Sequence, residues 1–179
     1  MRNAKKFDER ITIGVVPDSE DLSQLKELGY KTFIDLRDEH EKFGGLVKKR
    51  VEALGMKYIS IEMHREAIKM ADVKKFYNAA FAVGSAPVYA FSRFGKKPLA
   101  LLLLLEAVAE GEPVMKIFRR AHEFGLNLDG DLPLQAFLVN FYNSGAIEPI
   151  VESIREHRPD LMDKPAKATK KDKGRKTKR

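Results

Sequence analysis

Between Pro87 and Glu110 the chain passes from a short apolar stretch, Pro87-Val88-Tyr89-Ala90-Phe91, through a tight polar loop into an apolar helix. The loop reads Ser92-Arg93-Phe94-Gly95-Lys96-Lys97, and Pro98 opens a helix that contains five consecutive leucines, Leu101 to Leu105. A strand that feeds a helix in this way sets free backbone amides, with Lys96 and Lys97, at the positive end of a helix dipole. Such a place favours a phosphate, a sulfate or a carboxylate. The leucine run from Leu99 to Leu105 reads as a helix buried on all sides.

The rest of the chain repeats the alternation. Strands are expected at Glu9–Val16, Lys31–Leu36, Lys57–Glu62 and Pro87–Phe91. The first helix, after the turn Pro17-Asp18-Ser19, carries Leu22, Leu25 and Leu28 along one face and stops at Gly29. Glu39–Gly45 reads as a mobile loop and Leu46–Leu54 as a helix. Further helices are expected over Met70–Val83, Pro98–Glu110, Pro113–Phe124, Asp131–Asn143 and Ala146–His157. Strands alternating with helices predict an α/β fold: a mainly parallel sheet of four or five strands flanked by helices, with additional C-terminal helices. Residues 1–163 are expected to form one such domain, with residues 131–158 as its helical extension.

The charge of +7 is unevenly spread. Lys164 to Arg179 holds nine Lys or Arg against the single acid Asp172, so the other 163 residues carry a net −1. A Lys-rich terminus without large apolar residues cannot offset its ordering entropy and is expected to be disordered. It reads either as an arm that attracts nucleic acid or as a solubilising tail without a dedicated partner. The longest apolar run is too short to span a bilayer, and the basic N-terminus leads into no apolar stretch, so neither a membrane span nor a signal peptide is expected. A cytoplasmic location is the default expectation. The chain contains no cysteine, which excludes disulfides, thiolate chemistry and cysteine-ligated zinc. Its histidines, His40, His64, His122 and His157, show no ligand spacing, so no metal or other cofactor is expected.

Several segments in order carry a resemblance. Gly14 and Pro17 precede Glu20-Asp21-Leu22; then come Gly29-Tyr30-Lys31-Thr32-Phe33-Ile34-Asp35-Leu36-Arg37, Tyr58-Ile59-Ser60-Ile61, Ala86-Pro87-Val88-Tyr89-Ala90 and the loop. From about Ile11 to Asp129 the chain resembles small bacterial tyrosine-phosphatase-like domains related to the dual-specificity phosphatases. It is most similar to the subgroup often fused to β-lactamase-like hydrolases. That subgroup carries His-Cys, four further residues and Arg; here the matching positions hold Phe91, Ser92 and Lys97, and Gly95 is retained.

The resemblance implies a phosphatase fold whose nucleophilic thiol and bidentate arginine are both replaced. A serine hydroxyl starts several pKa units above a loop thiol, and no histidine lies beside Ser92 in sequence to act as base. Lysine cannot grip two phosphate oxygens as a planar fork. The expectation is a pseudophosphatase that binds phosphate, sulfate or a phosphorylated ligand through Ser92, Arg93, Phe94, Gly95, Lys96 and Lys97. Arg93 reads equally as facing the loop or facing solvent, and Phe94 as a lid or as packing. The alternative is a weak phosphomonoesterase that uses Ser92 or a hydroxide, with Glu62 or His64, on the loop after the third strand, protonating the leaving group. Asp35 and Arg37 are expected to form an internal ion pair or to brace neighbouring loops. A second alternative is a nucleic-acid-binding accessory protein acting through the basic tail.

Overall fold

In the computed structural model the described residues are 3–162. The basic tail Lys164–Arg179 therefore lies outside the described residues. Five strands form one sheet: β1 (Lys5–Lys6), β2 (Ile11–Gly14), β3 (Thr32–Asp35), β4 (Lys57–Ser60) and β5 (Val88–Phe91). Their order is β1-β2-β5-β3-β4; β2, β5, β3 and β4 run parallel, while β1 pairs antiparallel with β2. The fold is thus α/β with a mainly parallel sheet flanked by helices. The antiparallel edge strand was not expected: two exposed lysines carry no apolar alternation to announce a strand.

The three inner strands are buried on both faces, with β2, β3 and β5 covered at every position, as parallel strands roofed by helices require. On one side lie α1 (Ser19–Glu27) and α2 (Leu46–Ala53), packed on a core of Leu22, Leu25, Phe33, Val51, Tyr89 and Phe91. On the other lie α3 (Met70–Ala80), α4 (Lys96–Glu110), α5 (Met115–Glu123), α6 (Leu132–Asn143) and α7 (Glu148–His157), with the short α8 (Pro159–Met162) following. The core there is built around α4, whose residues Leu99 to Leu105 are all at most 5% exposed. Each leucine so enclosed contributes on the order of 1.5–3 kcal/mol of transfer free energy. Both α6 and α7 pack on α4, contributing Leu134, Leu138, Val151 and others to the same core.

Differences from the sequence expectations have local causes. Helix α1 is closed at its start by a capping box, in which Asp18 and Asp21 each accept from the other's backbone N–H. It ends before Leu28, which becomes the C-cap and is 65% exposed instead of facing inward with Leu22 and Leu25. Glu39–Gly45 is organised as two single 3₁₀ turns, Glu39–Glu41 and Phe43–Gly45. Helix α3 stops at Ala80, short of Val83. Helix α4 begins at Lys96 rather than Pro98, so both loop lysines belong to its first turn. No helix among the described residues is long and apolar enough to cross a membrane.

Candidate functional site

The parallel strands deliver three loops to one end of the sheet. These are the segment after β3 (Leu36–Gly45), the segment after β4 (Ile61–Lys69) and the segment joining β5 to α4 (Ser92–Gly95). Carboxyl ends of parallel strands are where such sheets place ligands.

The third loop leaves the sheet at Ser92, which is 2% exposed and donates its N–H to the carbonyl of Gly14 at 3.4 Å. The chain reverses at Gly95, whose φ of +73° lies in the left-handed region, and this residue stands as the N-cap of α4 with no side-chain cap bond. Among the described residues, the main-chain N–H groups of Arg93 to Lys97 meet no protein acceptor. A Cβ at Gly95 would sit 3.3 Å from the Gly14 carbonyl oxygen and 3.8 Å from Leu126 Cδ1, so the loop is wedged between β2 and the segment after α5. Gly14 is constrained too. A Cβ there would fall 2.0 Å from the hydroxyl of Tyr89, which is buried and donates to the Val15 carbonyl.

The cations of the loop have separate destinations. Arg93 and Phe94 are both exposed, and the guanidinium stacks on the neighbouring ring with 5.1 Å between carbon and centroid. Lys96 extends to Asp131, Nζ to Oδ2 3.6 Å. Lys97 turns inward: it is 8% exposed, and its Nζ donates to the carbonyls of Leu36 (3.0 Å) and Met63 and to Asp38 Oδ1 (3.2 Å). Its ammonium ties the three loops together, so the side chain is consumed by protein acceptors and only its backbone N–H faces the loop. The expectation that both lysine ammonium groups gather at the loop therefore holds for neither in simple form. One is internal, and the other is paired with a carboxylate.

The candidate catalytic groups are equally placed by local bonds. Among the described residues no base bonds the Ser92 hydroxyl. Glu62 accepts from the backbone N–H of Glu39 at 3.2 Å, and that bond, helped by His64 and Lys42 nearby, holds its carboxyl below the usual glutamate range. A leaving-group acid needs the opposite shift. His64 lies between two acids, Nδ1 3.3 Å from Asp38 and Nε2 3.3 Å from Glu62. Arg65 reaches Glu66 at 2.8 Å and Asp131 Oδ2 at 3.3 Å. Glu66 is held low chiefly by that arginine.

Behind the loops, the Asp35–Arg37 pair is present and larger than the sequence suggested. Asp35 accepts from the Arg37 backbone, Nε and Nη2, and from the Tyr58 hydroxyl at 2.5 Å, all buried or half-buried. Arg37 also donates to the Glu41 carbonyl and lies over the Phe91 ring, so it braces the first 3₁₀ turn against β5. Among the described residues no cluster of His, Asp or Glu has the arrangement of a metal site.

Set against known proteins, residues 6–109 match the profile of the beta-lactamase hydrolase-like protein, phosphatase-like domain. A beta-lactamase hydrolase-like protein from Agrobacterium fabrum is 31% identical over 109 residues, which are 59% of this chain and 25% of that protein; the chain thus spans about a quarter of that relative's length. Among solved structures, a candidate phosphatase from Neisseria meningitidis is 27% identical, with a TM-score of 0.58 over 78% of this chain and 93% of its own. The Pseudomonas aeruginosa protein TpbA, solved with phosphotyrosine, is 14% identical with a TM-score of 0.66, over 82% of this chain and 89% of its own. A PP-IP phosphatase core from Saccharomyces cerevisiae, solved with citrate, is 18% identical with a TM-score of 0.66, over 84% of this chain and 91% of its own. These last two share the fold. On the matched half of its length and the strand-loop-helix at its centre, the chain belongs to the phosphatase-like domain family of the beta-lactamase hydrolase-like proteins.

Proposed function

We propose that this chain is a pseudophosphatase: it binds phosphate or a phosphorylated ligand at the β5–α4 loop without hydrolysing it. The observation that carries the reading is the uncapped start of α4, where a left-handed Gly95 leaves the N–H groups of residues 93–97 without protein acceptors. Unpaired backbone donors at the start of a 15-residue helix favour an anion through both hydrogen bonding and the helix dipole. Two of the structural relatives were solved with anions, phosphotyrosine and citrate, which supports the class of ligand.

Support for binding over turnover comes from the chemistry at the same loop. The first loop residue is Ser92, with no base on its hydroxyl among the described residues, and the position that matches the family's arginine is Lys97, locked to carbonyl oxygens. Glu62 accepts the Glu39 backbone N–H, which holds its carboxyl below the usual glutamate range and so shifts it away from proton donation. The esterase alternative therefore lacks an activated nucleophile at Ser92, an arginine at position 97 and, at Glu62, a carboxyl shifted toward proton donation.

Calorimetric titration with inorganic phosphate and with a phosphotyrosine peptide tests the reading. Saturable binding that Gly95→Asp removes, in a variant whose circular dichroism matches the parent, supports it. Turnover of para-nitrophenyl phosphate that Ser92→Ala abolishes would instead establish the esterase.

A further inference from the structure

Two part-exposed cations, Lys96 of the first turn of α4 and Arg65 of the β4–α3 loop, share one acceptor. Lys96 Nζ is 3.6 Å and Arg65 Nη1 is 3.3 Å from the same oxygen, Oδ2 of Asp131. Asp131 is buried, with 5% of its side chain exposed, whereas Lys96 and Arg65 retain 27% and 48%. Its other oxygen accepts the Leu134 N–H at 3.4 Å, so the residue doubles as the N-cap of α6. Asp131 stands on the segment beyond residue 109, where the family match ends, and Leu126 of the same segment packs against Gly95.

We propose that Asp131 is a built-in competitor for the anion site. Its carboxylate occupies the cations that a phosphate monoester at the loop would recruit, and binding proceeds by release of Lys96 and Arg65 from Asp131 to the ligand. The inference rests on the anion-binding reading above and names the cations of that site: Arg65 and Lys96, with Lys97 excluded by its internal bonds. In this arrangement Arg65, from the β4–α3 loop, supplies the planar guanidinium that is missing at position 97, while the guanidinium of Arg93 lies on the Phe94 ring. The ligand class is a phosphate dianion, whose two charges outweigh the single charge of Asp131. A monoanion such as acetate gains nothing by the exchange.

Asn is as good an N-cap as Asp, so Asp131→Asn removes the charge and spares the helix start. Inorganic phosphate is titrated calorimetrically into the full chain, into D131N, and into Asp129→Asn. The last loses one negative charge two residues away, from a half-exposed side chain that faces His122 rather than the loop cations. The expected result is about tenfold tighter phosphate binding in D131N, an unchanged affinity in D129N, and loss of the gain when Arg65→Gln or Lys96→Gln is added to D131N. Equal gains in D131N and D129N would mark a general charge effect and overturn the proposal. An unchanged affinity in D131N, with binding still abolished by Gly95→Asp, would overturn it and leave the anion-binding reading standing. Phosphate binding to neither parent nor D131N in the millimolar range would overturn both.

Discussion

At the scale of single residues, Lys97 and Gly14 show how tightly the loop is built into its surroundings. Removing the Lys97 ammonium strands the carbonyls of Leu36 and Met63 and leaves Asp38 with His64 alone as a cationic partner among the described residues. Charged hydrogen bonds of this kind cost about 1.5–3 kcal/mol each way, so Lys97→Met is expected to lower stability by about 2–4 kcal/mol, read from urea unfolding. Gly14→Ala forces its methyl into the Tyr89 hydroxyl, and a shift of that buried ring is expected to cost about 1–3 kcal/mol in the same assay. The Lys97 contacts also bear on attempts to restore chemistry. With Ser92→Cys and Lys97→Arg together, para-nitrophenyl phosphate is expected to remain uncleaved, because the side chain at 97 is drawn to the carbonyls of Leu36 and Met63 and away from the loop. Clear turnover by that double variant would show that an arginine at 97 does reach the loop. None of these roles was readable in sequence. Lys97 stands beside Lys96 at a helix start, where both read as anion-binding or solvated, and its partners lie 61 and 34 residues away. The link from Lys96 to Asp131 is hidden for the same reason, since spacing along the chain carries no record of which loops meet.

At the scale of elements, the alternation of apolar strands and amphipathic helices was sufficient to predict a mainly parallel sheet and its covering helices, though not the strand order β1-β2-β5-β3-β4. Periodicity reports which face is buried, and burial is what the parallel sheet demands. The leucine run of α4 was legible because a helix apolar on every side has to be central. Boundaries were not legible where bonds outside the local pattern set them. Leu28 fits the inner face by spacing yet lies at the C-cap, and β1 exists only because β2 offers it an edge.

The Asp35–Arg37–Tyr58 brace belongs to this scale too, tying β3, β4 and the first 3₁₀ turn. Burial, and for Tyr58 the bond to Asp35, raise the phenols of Tyr58, Tyr77 and Tyr89 above the ordinary value of 10.0. For groups raised on folding, the added stability is complete below the unfolded pKa and is lost as pH climbs through the folded values. The contribution of these three phenols is therefore expected to be flat up to about pH 10 and to fall above it. Tyr58→Phe is expected to cost about 1–2 kcal/mol at neutral pH and to soften that alkaline loss; chemical unfolding at successive pH values checks both.

At the scale of the whole molecule, two regions of unlike charge are joined. The body is nearly neutral, and the sixteen residues from Lys164 to Arg179 hold the basic excess. If that segment attracts nucleic acid, counterion release predicts an affinity that falls steeply with salt and vanishes on truncation after residue 163, as fluorescence anisotropy with a short duplex would report. Affinity indifferent to salt would leave the segment without that role. The anion binding proposed for the body rests on the loop instead, and the same truncation is expected to leave it unchanged.

The central claim is that backbone donors at the start of α4 hold a phosphate. Amide NMR spectra of the full chain with increasing inorganic phosphate address it directly. The account predicts saturable shifts concentrated at Arg93, Phe94, Gly95, Lys96 and Lys97, absent in Gly95→Asp. Shifts confined to other surfaces, or none at these five amides while phosphate saturates the protein, would contradict it.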